Sequence, residues 1–214
     1  MNSLIDPRPD DVQWPRMSEP SIDTILQGSW IQLMPVRPID DAPELFDALD
    51  TDEVWTHLYG RPRSPEELAQ SLQTRLDEGS LPWIVRAVDD RVGVPTDTIV
   101  GMTSYLDISA LDARLEIGWT AYAPKVWSTQ VNPECKLLLL SHAFDELGAG
   151  RVQLKTDIRN IRSQRAIAGI GAHFEGVLRR YQRRSDDTIR DTALFSVIAE
   201  DWPVVRQHLH SRLS

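Results

Sequence analysis

Three stretches of the chain carry residue types whose spacing suits chemistry. Trp127-Ser128-Thr129-Gln130-Val131-Asn132-Pro133 precedes Glu134, Cys135 and Lys136 and reads as a loop opening a long helix. The first N–H groups of a helix have no partner inside it, so such an opening favours anions, phosphate among them. Ser128, Thr129 and Asn132 add side-chain donors. Without a ligand, the same residues are simply a helix cap. Asn160 and Ser163 mark a second helix start, with Asn160 as the cap residue and Ser163 one turn in. Glu116 lies on a strand between Leu115 and Ile117, which point to the opposite face. A carboxylate in a partly buried cleft has a raised pKa and can accept a proton from an attacking group. The other reading of Glu116 is an ion pair with a neighbouring strand.

Other reactive side chains are less well placed. Cys135 falls in the first turn of its helix, where a thiolate is favoured. His142 is about two turns further on and a poor partner for it. The five histidines, His57, His142, His173, His208 and His210, are scattered, so no metal site is expected.

These groups need a framework. With 214 residues, 41 % of them apolar, the chain is long enough for an α/β domain with a full core. No apolar run approaches the ~20 residues of a membrane span. The opening Met1-Asn2-Ser3-Leu4-Ile5-Asp6 is acidic and unlike a secretory signal. The single cysteine allows no internal disulfide and suits a reducing, cytoplasmic setting. A net charge of -9 argues against a nucleic-acid partner, whose phosphates call for a basic face.

Residues 1–27, with Pro7, Pro9, Pro15 and Pro20, read as an extended arm held by Trp14 and Met17 against a single domain at 28–214. Alternation predicts strands at Trp30–Val36, Trp83–Val88, Thr98–Leu106, Arg114–Ala121, Arg151–Thr156, Phe174–Gln182 and Thr192–Ile198. Asp40 and Asp41 cap a helix bearing Leu45, Phe46 and Leu49, and Ser64-Pro65-Glu66-Glu67 starts another that ends at Gly79. Further helices are expected at Pro133–Leu147, Asn160–Gly169 and from Asp201-Trp202-Pro203 onward. Consecutive strands imply antiparallel pairing, and the strand–helix–strand step around 133–150 implies one parallel crossover. The fold class is α/β (α+β), a mixed and mostly antiparallel central sheet with helices on both faces.

This order resembles the GNAT superfamily of N-acetyltransferases, in the branch that includes the ribosomal-protein N-terminal acetyltransferases. Arg114-Leu115-Glu116-Ile117-Gly118-Trp119-Thr120 matches one strand of that branch, and Lys155-Thr156-Asp157-Ile158-Arg159-Asn160-Ile161-Arg162-Ser163 matches the next strand and the helix after it. Gly171-Ala172-His173-Phe174-Glu175-Gly176-Val177-Leu178-Arg179 and Arg190-Asp191-Thr192-Ala193-Leu194-Phe195-Ser196 match the closing strands. The resemblance covers roughly residues 28–208. It implies a splayed strand pair, acetyl-CoA as cosubstrate, and coenzyme contacts at Trp119, Thr120 and Ala121 through the backbone. It also implies that Trp127, Ser128, Thr129, Gln130, Val131 and Asn132 lie at the pyrophosphate, with Asn160, Ser163 and Arg165 near the pantetheine and phosphates. The family loop reads Gln/Arg-x-x-Gly-x-Gly/Ala, and here Trp127, Gln130 and Asn132 occupy its three defining positions. Glycine lets a backbone approach phosphate closely, so Gln130 narrows the site.

The resemblance implies transfer of acetyl to a primary amine by direct attack, with Glu116 as base and Ser163 or Tyr181 as acid. Relatives often use a tyrosine from the helix after the splayed strand, but none lies between Asn160 and Gly171. Trp55, Trp83 and Tyr105, with His57 and Tyr59, are candidates for an aromatic acceptor pocket beside Asp47, Asp50, Asp52 and Glu53. Such a mouth favours a cationic amine; core aromatics beside a solvated acidic helix end is the other reading. A small-molecule amine or a peptide N-terminus would be the partner, and a homodimer suits the fold. The alternative function is a catalytically silent acyl-CoA-binding sensor or interaction protein.

Overall fold

The computed structural model describes residue 13 and residues 15–214. Trp14, expected to anchor the arm, lies outside the described residues. Eight strands form one sheet in the order β1-β2-β3-β4-β5-β6-β8-β7. They are β1 (Leu26–Gln27), β2 (Ile31–Pro35), β3 (Leu81–Ala87), β4 (Ile99–Ser109), β5 (Arg114–Tyr122), β6 (Arg151–Asp157), β7 (His173–Arg183) and β8 (Ile189–Ile198). The helices are α1 (Pro38–Leu49), α2 (Asp52–Trp55), α3 (Pro65–Asp77), α4 (Val131–Ser141), α5 (Ile161–Ala168) and α6 (Trp202–Leu213). Among the described residues, only β5 and β6 pair in parallel. The mixed, mostly antiparallel sheet expected from the sequence is therefore present.

The sheet separates two cores. On one face Leu33, Val85, Leu115, Ile117, Val152, Leu154 and Phe195 pack with Leu139 of α4 and Leu209 of α6. On the other, Ile84, Ile99, Met102 and Ala121 pack under Leu45 and Leu49 of α1 and Leu68 and Leu72 of α3. Because β3 is covered on both faces, its apolar run is nearly continuous rather than alternating.

Several boundaries differ from expectation for local reasons. Residues 15–27 are part of the domain body. Met17 is buried, and Leu26 and Gln27 pair with Leu33 and Gln32, so the expected boundary at 27/28 falls inside a hairpin. Gly148 has φ 78, and a Cβ there would meet the Arg16 carbonyl at 2.8 Å, so only glycine lets the N-terminal segment cross. α1 begins at Pro38, ahead of Asp40, because Asp41 reaches back to accept from the Arg37 N–H at 2.7 Å. α4 begins at Val131, two residues earlier than expected. Pro133 is tolerated there because first-turn N–H groups lack intrahelical partners anyway. The helix expected to run to Leu147 instead ends at Ser141 and widens into a π turn over His142–Glu146, closed by Leu147 N–H donating to the His142 carbonyl at 2.9 Å. Tyr105 Oη occupies the Leu139 carbonyl at the end of α4.

Candidate active site

β5 and β6 are zipped together only from Arg114↔Arg151 to Glu116↔Gln153. Beyond Glu116 the β6-facing edge of β5 has no strand beside it, and a slot opens. The cause lies in β5. Trp119 has φ 51, and the β4–β5 register shifts between Met102 and Ser104. A bulge of this kind bends a strand and re-aims its side chains. Thr120 is turned toward α4, while Ala121 joins the core under α1 and α3. Arg75 of α3 holds the bulge from that side, its guanidinium carbon 2.8 Å from the Trp119 ring centroid.

The loop before α4 forms one lip of the slot. Gln130 is the cap residue, but its side chain makes no cap bond. Among the described residues, the N–H groups of Ser128, Thr129, Gln130 and Asn132 donate to nothing within the chain. The Val131 N–H meets Thr129 Oγ1 at 3.3 Å, and Ser128 has φ 64. Left-handed backbone next to free N–H groups makes a concavity that suits an anion. Pro133 contributes no N–H, so the donors are those of the loop at Ser128, Thr129 and Gln130, with Asn132 from the first turn of α4. Trp127 is tied by its indole N–H to the Tyr122 carbonyl at 2.9 Å, and the Arg162 guanidinium of α5 stacks on it at 3.6 Å. That stack joins the chain leaving β5 to the chain leaving β6 across the mouth of the slot. Burial against the indole lowers the Arg162 pKa.

At α5 the Asn160 side chain caps the helix, accepting from the Ser163 N–H at 2.9 Å. Its oxygen is therefore committed to capping. Ser163 lies on this first turn and Arg165 is exposed further along.

Glu116 is buried, with 6 % of its surface exposed. Its Oε2 accepts from Lys155 Nζ at 2.7 Å and from Gln153 Nε2 at 3.1 Å. The ion-pair reading of Glu116 thus describes one of its oxygens. The other, Oε1, is the one beside Gly118 at the slot. Lys155 also donates to Tyr181 Oη at 3.0 Å. Burial pulls the Lys155 pKa down, but its bonds to Glu116 and Tyr181 outweigh that and leave it raised. Glu116 and Tyr181 are therefore brought together through Lys155. Ser163 is not, because α5 packs on the other face of the sheet, with Ile167 in the α4–α6 core.

On the α4 side of β5, Lys136 is buried and donates to Thr120 Oγ1 at 3.0 Å, which in turn shares a hydrogen with Thr103 Oγ1 at 2.8 Å. Burial lowers the Lys136 pKa. Cys135 is fully buried, and burial raises its thiol pKa. The thiol is held protonated and out of reach, contrary to what its first-turn position suggested.

The aromatic pocket does not form as expected. Trp83 and Tyr105 are buried at 2 % and 0 % exposure on the α4 face, edge to face at 4.9 Å with His142 stacked behind. Trp55 belongs to the opposite core and donates to the Leu49 carbonyl at 2.8 Å. Trp55 does line a cavity of about 370 Å³ with Asp52, Thr56, Leu58, Arg61 and Ser185, between α2 and the β7–β8 turn. The acidic wall is partly neutralised, because Arg61 bridges Asp50 at 2.8 Å and Asp52 at 2.5 Å.

Lys155, Lys136 and Arg75 were missed in the sequence. Lys155 had a signal: it has the parity of Gln153 and the opposite parity to Val152 and Leu154. Lys136 had none, since a lone lysine on a helix reads as solvated.

A slot between unzipped strands, flanked by free N–H groups and by a buried carboxylate, suits a transferase with a long phosphate-bearing donor. The chain belongs to the acetyltransferase (GNAT) domain family, whose pattern matches residues 31–173. It is an N-acetyltransferase, and acetyl-CoA is the acetyl donor of that family. Over 164 residues it is 26 % identical to the uncharacterized N-acetyltransferase YoaA of Bacillus subtilis strain 168, covering 74 % of this chain and 88 % of that one. A T. thermophilus protein assigned to the acetyltransferases is 35 % identical and superposes with a TM-score of 0.77, covering 89 % of this chain and 97 % of that one. The ribosomal-protein-S5-alanine acetyltransferase of Vibrio fischeri shares the fold at 17 % identity, with a TM-score of 0.68 over 84 % of this chain and 99 % of that one. The resemblance drawn from the sequence holds. Among the described residues, no helix is long and apolar enough to cross a membrane, and no three His, Cys, Asp or Glu side chains gather at one point.

Proposed function

We propose that this chain binds acetyl-CoA in the β5–β6 slot and passes the acetyl group directly to a primary amine, on a small molecule or a peptide N-terminus, in the cytoplasm. The row of unpartnered N–H groups from Ser128 to Asn132 at the mouth of that slot carries the reading. These donors fit a diphosphate, and the absence of glycine is offset by the open geometry at Ser128. The pantetheine arm would run along the free edge of β5. There, backbone N–H groups near Trp119–Ala121 face the thioester carbonyl and stabilise its oxygen as charge develops.

The amine nitrogen attacks the carbonyl carbon, and the carbon–sulfur bond breaks as the tetrahedral centre collapses. The amine's proton passes to Glu116 Oε1, directly or through water. The leaving sulfur takes a proton from Tyr181 or Ser163. The buried Cys135 forms no acyl intermediate.

Calorimetric titration with acetyl-CoA and with free CoA tests the first half of this reading, and thiol release with an amine panel tests the second. Micromolar binding with turnover supports it. Binding without turnover on any amine would leave a silent acyl-CoA-binding protein, and no binding would leave an interaction protein on the same fold. Asn132→Ala is expected to weaken CoA binding by about 1–2 kcal/mol, the scale of a hydrogen bond to a charged group. Glu116→Gln is expected to slow turnover more than it alters coenzyme affinity.

A further inference from the structure

α1 and α3 cover the sheet over β3, β4 and β5 and stop there. Beyond the slot, the same face of β6 and β8 carries Lys155, Asp157, Arg190 and Thr192. Two of the cations on this face are matched. Lys155 pairs with Glu116 at 2.7 Å, and Arg184 pairs with Asp157 at 2.5 Å. Arg190 is not matched. It is half-buried, and among the described residues no carboxylate lies within 4 Å of it. Its Nε is buried with no hydrogen-bond partner. Two residues on along β8 and on the same face, Thr192 is 0 % exposed, and its Oγ1 also lacks a partner. The register Asp157↔Thr192 puts Arg190 just past the end of β6, on the face that carries Lys155. Burial lowers its pKa, opposed first by the charge of Asp157 and then by those of Glu116 and Tyr181.

Across the slot, Arg75 repeats the pattern. It lies on Trp119, no carboxylate among the described residues is within 4 Å of it, its Nε is buried and unsatisfied, and burial pulls its pKa to about 10. Ser104, one strand further in beside Gly118, adds a fourth orphaned atom, its Oγ, at 1 % exposure. Buried polar atoms are almost always satisfied in native proteins, so a group of orphans around one opening points to a ligand that completes them. The ligand that satisfies two arginines and two hydroxyls is an anion. The charge distribution agrees. Residues 151–190 hold ten Lys and Arg against four Asp and Glu, in a chain of net charge -9. A basic region on an acidic protein steers anions to itself.

We infer that the acceptor is a small amine that also bears an anionic group, a carboxylate or a phosphate monoester, which Arg190 and Thr192 hold beside the slot with Arg75 opposite. This rests on the acetyltransferase reading of the slot and narrows its acceptor, against the cationic amine that the acidic residues near Trp55 suggested.

The test compares acceptors that share a skeleton. Thiol release from acetyl-CoA is measured with glycine against glycinamide, and with glucosamine 6-phosphate against glucosamine. The expected result is at least a tenfold higher kcat/KM for the charged member of one pair, and the pair that responds separates carboxylate from phosphate. Arg190→Gln should erase the preference while leaving the KM for acetyl-CoA within twofold. Arg190→Lys should restore part of it, and Thr192→Val should lose part of it. Equal rates for charged and neutral members would overturn the inference, as would an Arg190→Gln effect confined to acetyl-CoA.

If none of these amines is acetylated, thermal unfolding with inorganic phosphate or acetate as probe decides. A rise in Tm seen in the wild type and absent in Arg190→Gln supports the site. The same response in both proteins sinks it. Running this with and without CoA separates the two claims: a protein that responds to phosphate through Arg190 but not to CoA keeps the anion site and loses the coenzyme reading.

Discussion

β5 has a lysine on each side, Lys136 buried and Lys155 partly buried, and the two regions hold them differently. On the α4 side, Lys136 lies in the apolar core with the Thr120 hydroxyl as its sole partner among the described residues, and its pKa is lowered by burial. On the β6 side, Lys155 lies between Glu116 and Tyr181, and its pKa is raised. A cation taken out of water survives cheaply only when a carboxylate replaces the solvent. The β6 side is thus a built electrostatic site in which Lys155 and Arg184 each meet a carboxylate, while Arg190 has none within 4 Å among the described residues. The α4 side is a core that tolerates one uncompensated charge beside the slot.

The largest test of this contrast is Lys155→Met. It leaves Glu116 buried and unpaired, and a loss of about 3 kcal/mol is expected from removing one partner of a buried ion pair. Adding Glu116→Gln should recover most of that, because the unpaired charge and not the lost bond carries the cost. Chemical denaturation of the two single variants and the double variant gives the coupling directly. A double variant no more stable than Lys155→Met would break the comparison. The pair also sets an alkaline signature. A lysine with a raised folded-state pKa contributes stability that is complete below its unfolded pKa and is lost as pH rises through the folded one. That loss should vanish in Lys155→Met.

Glu134 shows how the α4 side is fixed in place without a paired cation. Its carboxylate accepts from the N–H groups of Ser29, Trp30 and Ile31 at 2.8, 2.7 and 2.8 Å, and it fills the space where a side chain on Gly28 would go. This nails the first turn of α4 to the β1–β2 hairpin. Glu134→Ala is expected to cost about 2 kcal/mol, since buried donors lose a charged acceptor. It should also weaken coenzyme binding, because the loop that offers the N–H groups is anchored by the same turn. Retained CoA affinity in a destabilised Glu134→Ala protein would show that the loop stands without its anchor.

Arg162 tests the lip of the slot. Its stack on Trp127 puts a guanidinium that has no carboxylate partner among the described residues at the place where the family resemblance expects Gln or Arg, supplied here from α5. Arg162→Ala is expected to weaken CoA binding about tenfold, or about 1.4 kcal/mol. Tighter binding in the variant would mean that the stack obstructs the mouth rather than serving it.

How far these features could be read in advance depended on whether parity or pairing decides them. The order of strands and helices was legible, because each strand carries its own alternation and each helix its own start signal. Asn160 was legible as a cap, since capping is local. Glu116 was legible as a buried carboxylate from its apolar neighbours, but its partner was not, because Lys155 lies 39 positions away on a strand whose parallel pairing stops after three residues. Trp83 and Tyr105 were placed with Trp55 on aromatic character alone. Their strands are covered on both faces, so polarity does not mark which side chains point which way. The splaying of β5 from β6 was expected only from family resemblance, and the bulge at Trp119 that causes it was not legible, as nothing in Gly118-Trp119-Thr120 demands a positive φ at a tryptophan.

The smallest expected effect is also the one of opposite sign. Lys136→Met replaces a buried cation with an apolar side chain of similar length, and Thr120 keeps its bond to Thr103. Removing an uncompensated buried charge should stabilise the protein by about 1 kcal/mol at neutral pH, since the desolvation penalty exceeds a single neutral hydrogen bond. The pH dependence fixes the cause. Lys136 has a folded-state pKa below its unfolded one, so the penalty is full below the folded pKa and is relieved as pH rises through it toward the unfolded value. The wild type should therefore gain stability over that alkaline window, and Lys136→Met should not. Lys155 acts in the opposite sense at higher pH, so the two variants should bend the stability profile in opposite directions. A Lys136→Met protein less stable than wild type would mean that the ammonium is compensated after all, and the two sides of β5 would then be alike.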